Sequence, residues 1–214
     1  MNSLKQKFLI IKLSSIGDIV HALPFLRTLR ANRPNAYIAW IIEESFQDLI
    51  KCNPDLDEVI PVRTRYWRKN INIKSWNEIY QTRKLLKKRQ FDWTFDLQGL
   101  IKTGFIARMT GAPNRAGFHR SNCREKINAW FNNHRSKYLS TDSHIVDRCL
   151  SQLSILGDFH PQAEFSLPIR EKDEHISEAF MVKNSKLTEK PIAGINPGAG
   201  FPTKLWSIER YARF

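Results

Sequence analysis

The sequence predicts an α/β fold, in which helices cover both faces of a parallel sheet. Short apolar runs of strand length alternate with longer stretches of helical or polar pattern, which is typical of βαβ units. Two of the runs also pass through a glycine-containing loop directly into an amphipathic pattern, as a strand followed by its crossover helix does. The predicted strands cover residues 8–13, 37–42, 58–62 and 91–97.

The first strand ends in a polar loop that contains Ser14, Ser15, Gly17 and Asp18. Apolar residues at near-helical spacing then predict a helix over residues 18–31, and Pro24 is expected to bend this helix or to tighten its first turns. In an open parallel sheet this loop lies at the carboxyl edge, where ligands collect at helix N-termini. The sequence therefore places the functional centre here.

The middle of the chain combines weak helical patterns with a basic segment. A helix is predicted over residues 43–52. Residues 63–76 carry five basic and three aromatic side chains without a clear period, and they are predicted to form a surface loop. A helix with a basic, solvated face is predicted over residues 76–90.

The later elements begin with Gln98 and Gly99, which lead from the fourth strand into a helix over residues 100–109. Further along, we expect a turn over 110–114, helices over 144–156 and 171–185, and a strand over 191–196. The chain stops in SIERYARF, where an apolar helical stripe has nothing left to pack against. We therefore expect a fragment, with one domain over residues 1–170 and, over 171–214, the interdomain crossing and the start of a second α/β domain of about 100 to 200 residues.

Composition restricts the class of protein. With 214 residues, of which 42% are hydrophobic, the chain can bury a substantial core, so a disordered protein is excluded. No apolar run approaches the roughly 18 residues that span a bilayer, and no signal peptide is evident, so a cytoplasmic protein is expected. Three widely spaced cysteines fit reduced thiols and not a disulfide framework or a zinc site. The formal net charge of +13 predicts an anionic partner, which is nucleic acid, a phosphorylated metabolite or an acidic membrane.

Asp18 has two interpretations. Ser15 and Asp18 have the spacing of a capping box, which satisfies backbone amides in the first helical turn. The same carboxylate, beside two hydroxyl groups and a glycine that permits close backbone approach, is also suited to accept a proton from a bound hydroxyl group. The two roles compete for the same oxygen atoms.

The basic segment has three interpretations. Its indole and guanidinium groups suit the phosphates and carboxylates of a sugar, and they equally suit a single-stranded nucleic acid. The third interpretation is an ordinary solvated loop. The residues concerned are Arg65, Trp67, Arg68 and Lys69.

Two further clusters lie at predicted strand ends. Asp96 is expected to accept hydrogen bonds within its own loop, whereas Lys102, one turn into the next helix, can face an anion. Residues 196–204, NPGAGFPTK, suggest a backbone cradle for a diphosphate or an ordinary turn. The histidines show no paired ligand spacing, so no metal site is predicted.

Six separated motifs carry a resemblance to a known family. They are KLSSIGDIVHALP at 12–24, DEVIPV at 57–62, RYWRK at 65–69, DLQGLIKT at 96–103, SHIVDR at 143–148 and NPGAGFPTKLW at 196–206. In this order they resemble the ADP-heptose:lipopolysaccharide heptosyltransferases, and the Trp-Arg-Lys loop is similar to that of the heptosyltransferase I branch. The resemblance extends over nearly the whole chain.

The resemblance implies a GT-B fold, whose two Rossmann-like domains bind the acceptor (N-terminal domain) and the nucleotide sugar (C-terminal domain). It implies an inverting glycosyltransferase of lipopolysaccharide core biosynthesis, which transfers heptose from ADP-heptose to a Kdo residue of Kdo-lipid A. The enzyme would work as a peripheral protein at the inner face of the cytoplasmic membrane, with no metal or other cofactor.

The family's functional residues carry over by position. Asp18 matches the general base. The positions that match acceptor-binding residues are Ser14, Ser15, Gly17, Arg65, Arg68, Lys69, Lys102, Arg124 and His144. The positions that match the donor-binding loop are Gly198, Ala199, Gly200, Thr203 and Lys204. Tyr66 stands where a further arginine can occur in the family. Because the motifs for adenine, ribose and heptose lie beyond Phe214, this chain alone is expected to be inactive.

Two alternatives stay open. One is a GT-B glycosyltransferase with another nucleotide sugar or acceptor. The other is a non-catalytic basic module that binds nucleic acid or membrane phosphates. The expected partners are ADP-heptose, Kdo-lipid A and the membrane surface, and not nucleic acid. Salt-dependent binding to generic oligonucleotides, as tight as binding to Kdo-lipid A, would favour the basic module.

Overall fold

The computed structural model describes residues 5–140, 142–184, 194–198, 203 and 205–213. The chain divides into two compact units, Met1–Pro168 and Ile169–Phe214. The second unit contains the helices α7 (Glu171–Lys183) and α8 (Ile208–Ala212), numbered in chain order after those of the first unit.

The first unit is built on a parallel sheet of six strands, as the α/β prediction requires. The strands are β1 (Lys7–Ile11), β2 (Tyr37–Glu43), β3 (Glu58–Val62), β4 (Trp93–Asp96), β5 (Asn114–Gly117) and β6 (His134–Arg135). Their order across the sheet is β3-β2-β1-β4-β5-β6. Residues 7–11 of β1 pair with 37–41 of β2, and residues 8–11 pair with 93–96 of β4 on the other side. The strand order therefore reverses between β1 and β4, which opens a crevice at the carboxyl ends of these two strands.

Helices cover both faces of the sheet. Their bounds are α1 (Ile16–Val20), α2 (Leu23–Asn32), α3 (Thr64–Lys69), α4 (Ile73–Arg89), α5 (Ile101–Thr110) and α6 (Ile145–Leu150). The core on one face joins β1 to α1, α2 and α6, and the core on the other face joins β1 to α4 and α5. Side chains of β1 alternate between these cores, so Phe8 and Ile10 are buried on one side and Leu9 and Ile11 on the other. Burial on both faces explains why this strand is a continuous apolar run.

The helix predicted over residues 18–31 is two helices. α1 ends at Val20, α2 begins at Leu23, and Pro24 occupies the second position of α2. Amide groups in the first turn of a helix have no partner within the helix, so proline is tolerated there. The prediction of one continuous helix was therefore wrong, and Pro24 lies in the first turn of α2 instead of bending a helix interior.

The prediction of a surface loop over residues 63–76 was also wrong, because α3 and the first turn of α4 lie in this segment. The buried Glu43 carboxylate caps α3, since it accepts hydrogen bonds from Thr64 Oγ1 at 2.6 Å and from the Arg65 amide at 3.1 Å. The Asn72 side chain caps α4 by accepting from the Ser75 amide at 3.0 Å. The basic side chains thus stand on an anchored helix.

Smaller differences concern element type and bounds. The helix predicted over 43–52 is a 3₁₀ helix, Glu44–Leu49, and the helix predicted over 144–156 is α6 followed by a 3₁₀ helix, Ser151–Leu156. Strands β5 and β6 were not predicted, because they are short and have no apolar run. Of the strand predicted over 191–196, only residues 194–196 are described, and they are not in a strand.

The three cysteines are free thiols, as predicted. Cys123 and Cys149 are buried, and burial raises the pKa of each thiol to about 11. Cys52 is exposed. Among the described residues, no helix combines the length and hydropathy that a membrane span requires.

Candidate active site

The candidate site lies at the carboxyl ends of β1 and β4, where polar side chains tie the two loops together. Gln98 Oε1 accepts from the Leu13 amide at 2.8 Å, and Gln98 Nε2 donates to the Ser14 carbonyl at 2.7 Å. Lys12, which is only 3% exposed, donates from Nζ to the Leu97 carbonyl at 2.7 Å. The loop after β1 is therefore held in place by the loop after β4.

Asp18 is half-buried in the first turn of α1 and performs the capping role. Its Oδ2 accepts from the Ser15 amide at 3.0 Å and from Ser15 Oγ at 3.3 Å. Its Oδ1 accepts no hydrogen bond from the part of the chain that the structure describes. The cap therefore uses Oδ2 alone, so a base role for Oδ1 would not compete with it.

Gly17 borders open space. A Cβ atom placed on it would meet no protein atom within 4 Å. Neither packing nor a positive φ therefore requires glycine at this position. The space beside the Asp18 helix is open to a bound molecule.

A cavity of about 820 Å³, which we name the main cleft, opens in front of these loops. It brings together six of the residues predicted from the sequence, which are Ser14, Ser15, Asp18, Arg68, Lys102 and Arg124. The remaining lining residues are Gln98, Leu100, Ile101, Phe105, Glu125 and Phe131. The motifs at 12–24, 65–69 and 96–103 thus meet in one place, together with Arg124.

The electrostatics of the main cleft favour an anion. Three cationic side chains line it, against the carboxylates of Asp18 and Glu125. Burial lowers the pKa of Lys102, and the nearby Arg68 acts in the same direction. A lysine whose charge is opposed by burial and by an arginine gains from an anionic ligand that pairs with it.

Two smaller cavities adjoin the main cleft. One, of about 310 Å³, shares Asp18, Gln98 and Arg124 with it and reaches Lys12. The other, of about 400 Å³, shares Arg68, Lys102 and Phe105. Asp18 therefore lines both the main cleft and the cavity of about 310 Å³.

The basic side chains of α3 differ in which cavity they line. Arg68 lines the main cleft, whereas Arg65 lines the adjoining cavity and lies with its guanidinium carbon 5.0 Å from the Phe46 ring centroid. Lys69 is exposed and lines none of the three cavities.

His144 lies outside all three cavities. Its Nδ1 accepts from the Val146 amide at 3.3 Å, so it caps α6, and its ring packs edge-on against His21 at 5.4 Å. The geometry supports a structural role for this side chain.

The predicted donor loop is described only in part. Gly198 donates from its amide to Asn196 Oδ1 at 3.1 Å, and Thr203 is exposed. Ala199, Gly200 and Lys204 lie outside the described residues. The donor-binding roles stay predictions.

Asp96 has the structural role predicted for it. Its buried carboxylate accepts from the amides of Gln98 and Gly99 at 2.9 and 3.1 Å and from Asn128 Nδ2 at 2.6 Å. Gly99 has φ of +69°, and a Cβ there would lie 3.3 Å from the Arg124 amide nitrogen. Glycine therefore lets the segment with Arg124 approach the end of β4.

Among the described residues, no group of three His, Cys, Asp or Glu side chains is arranged to hold a metal ion. The chain contains one Asp-x-Asp sequence, Asp55 to Asp57. Asp55 pairs with Arg27 at 3.2 Å and Asp57 with Arg30 at 2.6 Å, so both carboxylates belong to ion pairs of the fold.

Sequence reasoning missed Glu43 and Lys12. Both are charged residues placed directly after an apolar run, which is the available signal, since a charge at the carboxyl end of a parallel strand borders the ligand edge. Glu43 positions α3, and Lys12 joins the loops on either side of the crevice.

Comparison with known proteins assigns the family. Residues 79–214 match glycosyltransferase family 9 (heptosyltransferase). The chain belongs to glycosyltransferase family 9. Family 9 relatives include the lipopolysaccharide heptosyltransferase 1 of Pseudomonas aeruginosa, 33% identical over 66% of this chain and 40% of the relative. The heptosyltransferase 1 of Salmonella typhimurium is 29% identical over 81% of this chain and 55% of the relative.

Solved structures agree with the family assignment. The heptosyltransferase WaaC of E. coli, solved with ADP-2-deoxy-2-fluoro heptose, superposes with a TM-score of 0.70 at 26% identity, over 97% of this chain and 64% of that one. A family 9 glycosyl transferase of Veillonella parvula shares the fold with a TM-score of 0.79 at 23% identity, over 99% of this chain and 59% of that one. The predicted GT-B fold class is thereby confirmed. The chain spans about half the length of the curated relatives it matches.

Proposed function

We propose that the whole protein is a peripheral membrane glycosyltransferase that transfers heptose from ADP-heptose to a Kdo residue of the lipopolysaccharide inner core. The observation that carries this proposal is Asp18, whose Oδ1 is unpaired among the described residues at the edge of a cationic cleft. Membership of family 9 supports the reaction class. The heptose nucleotide named with the E. coli structure supports the donor.

The proposed reaction inverts the configuration of the transferred sugar. The acceptor hydroxyl attacks the anomeric carbon while the bond from that carbon to the diphosphate breaks on the opposite face. Asp18 Oδ1 takes the hydroxyl proton as the new bond forms, and the electron pair of the broken bond leaves with ADP. The Ser15 amide and hydroxyl hold Oδ2, which fixes the orientation of the carboxylate.

Anionic groups of the acceptor would bind beside the base. Kdo carries a carboxylate and lipid A carries phosphates, and the cleft presents Arg68, Lys102 and Arg124 to such groups. Arg65 and Lys69 extend the same basic surface along α3. Gly17 leaves room for the acceptor sugar next to the helix backbone.

The departing diphosphate would be stabilised without a metal ion. Backbone amides of residues 198–200 and the ammonium group of Lys204 are the proposed partners, and Thr203 is a further proposed donor-binding residue, since amides and a cation can neutralise the developing charge. This role rests on the motif NPGAGFPTK.

A stripe of exposed apolar and aromatic side chains on α4 supports the proposed membrane location. Ile73, Trp76 and Tyr80 are 89%, 64% and 58% exposed and recur at helical spacing on one side of the helix. Arg83 and Lys87 continue the stripe. Exposed apolar and aromatic side chains followed by basic ones suit the interface of an anionic membrane.

The test is a transfer assay with ADP-heptose and Kdo-lipid A, using the protein in its full natural length, with and without EDTA. Asp18→Asn is the matched variant, because asparagine keeps an oxygen that can accept from the Ser15 amide and removes only the base. We expect transfer that survives EDTA and falls at least about a hundredfold in the variant, the usual scale for a general base.

Near-normal turnover in Asp18→Asn, with unchanged thermal unfolding, would leave Asp18 only its capping role. Transfer from another nucleotide sugar, but not from ADP-heptose, would keep the fold and the base and replace the donor.

A further inference from the structure

The cavity of about 400 Å³ beside the main cleft, which we name the side cavity, has an apolar wall. It lies between α3, α4 and α5, and its size is in the range of ligand pockets. The side chains that form the apolar wall are Trp67, Ile79, Phe105, Ile106 and Met109. Phe105 is about half exposed although it stands in the wall of two cavities, so a ligand that covered it would remove apolar surface from water.

The uncharged side-chain N–H and O–H groups among the lining residues are already paired within the protein. Trp67 Nε1 donates to Glu78 Oε2 at 2.9 Å, and Thr64 Oγ1 donates to Glu43 Oε2 at 2.6 Å. A sugar or another polar ligand would find few partners there and would lose the hydrogen bonds it makes to water. A hydrocarbon chain has no such cost.

The side cavity also has charged lining residues, and all of them are cationic. Arg65, Arg68 and Lys102 are its charged lining residues, and Arg68 and Lys102 also line the main cleft. A molecule bound in both cavities would therefore place an anionic group between these cations and an apolar part against the wall. This combination selects an anionic amphiphile.

We propose that the side cavity binds a hydrocarbon chain of the anionic glycolipid acceptor, while the acceptor's headgroup occupies the main cleft. The proposal rests on the proposed function for the identity of the glycolipid. It adds a second determinant of acceptor binding, the acyl chain, to the recognition of the charged sugar.

The direct test uses alkyl phosphates, which combine an anionic group with a hydrocarbon chain and take part in no transfer reaction. Butyl, hexyl and octyl phosphate, each below its micelle concentration, are titrated calorimetrically into the 214-residue chain. We expect the affinity to rise about fourfold per added methylene, because each methylene that is buried in the cavity contributes a similar favourable transfer free energy.

Two variants separate the tail from the headgroup. Ile79→Phe adds bulk to the wall and should abolish the dependence on chain length while leaving butyl phosphate binding nearly unchanged. Lys102→Gln should weaken all three ligands by a similar factor and keep that dependence. Ile127→Phe makes the same substitution at an exposed position outside the three cavities, and it should bind like the wild type.

Three results would overturn the proposal. They are affinity independent of chain length, the same dependence in Ile79→Phe as in Ile127→Phe, and binding that disappears in the protein of full natural length because another segment fills the cavity. Circular dichroism of each variant excludes misfolding as the cause of lost binding.

A transfer assay then links the cavity to function. In the active protein, Ile79→Phe should raise the KM for acylated Kdo-lipid A at least several-fold and leave the KM for the deacylated acceptor unchanged. Absence of all transfer would refute the proposed function, whereas the alkyl phosphate result would stand. Equal KM changes for both acceptors would refute the acyl-chain role alone.

Discussion

At the scale of single residues, Asp18 shows what a sequence pattern leaves open. Its spacing from Ser15 predicted a cap, and its neighbouring hydroxyl groups and glycine suggested a base, so the same two oxygen atoms were expected to serve both roles. In the structure Oδ2 serves the cap, and Oδ1 is left without a partner among the described residues. The direction of each oxygen depends on how α1 leaves β1, and no local pattern encodes that direction.

The charge state of Lys102 gives a pH prediction. Burial lowers its pKa below the ordinary value of a lysine. The charges of Arg68 and Arg65 also lower this pKa, whereas the carboxylate of Glu43 raises it. Phosphate binding needs the protonated ammonium group of Lys102. As the pH rises, the affinity for phosphate should therefore begin to fall at a lower pH than it would if this lysine had its ordinary pKa. Between about pH 7.5 and 10, where the phosphate charge is constant, the affinity for butyl phosphate should fall in the wild type and stay level in Lys102→Arg, because arginine stays protonated.

Calorimetric titration across this range measures the effect. Lys88→Arg, an exchange on the exposed face of α4, should keep the wild-type profile. Identical profiles in the wild type and Lys102→Arg would show that Lys102 does not contact the phosphate.

At the scale of elements, α3 depends on a residue far away in the chain. Glu43, at the end of β2, accepts from Thr64 and from the Arg65 amide. Glu43→Ala should therefore lower the free energy of unfolding by about 1 to 3 kcal/mol, since both hydrogen bonds lose their acceptor in a buried place. It should also weaken phosphate binding, because α3 carries Arg68 into the cleft.

Urea unfolding and phosphate titration test these two effects together. The neighbouring, exposed Glu44 provides the control, and Glu44→Ala should change stability by less than about 0.5 kcal/mol. Full stability and full binding in Glu43→Ala would mean that α3 needs no anchor.

The elements that sequence reasoning found are those whose signal is local. β1, β2 and β3 are apolar runs buried by the sheet itself, and α5 follows a glycine at a strand end. α3 was missed because its stabilising contact comes from 21 residues earlier in the chain, and its own sequence has no apolar period. The site shows the same limit. Its loop residues could be named from motifs, but the hydrogen bonds of Gln98 that hold the first loop join residues 84 and 85 positions apart in the chain.

At the scale of the whole molecule, the charge of +13 and the α4 stripe predict where the protein works. The chain should bind vesicles that contain anionic phosphatidylglycerol more tightly than neutral phosphatidylcholine vesicles, and salt should weaken this binding. Replacing Ile73 and Trp76 by serine should lower vesicle affinity about tenfold, because apolar side chains no longer enter the interface.

Vesicle co-sedimentation measures this, and the chain offers a matched control. Ile127 and Trp130 are also exposed and also three residues apart, so serine at both should leave binding unchanged. Equal losses in the two double variants would refute a specific membrane face. Oligonucleotide binding as tight as vesicle binding would favour the basic binding module.

The distribution of the cysteines has a practical consequence for following this protein in solution. Cys123 and Cys149 are buried thiols with raised pKa values, whereas Cys52 is exposed. The thiolate is the form that reacts with alkylating reagents. A fluorescent maleimide should therefore attach selectively at Cys52 in the folded chain, without any engineered mutation. The slower reaction of Cys123 and Cys149 would then measure how often the core opens around each of these thiols.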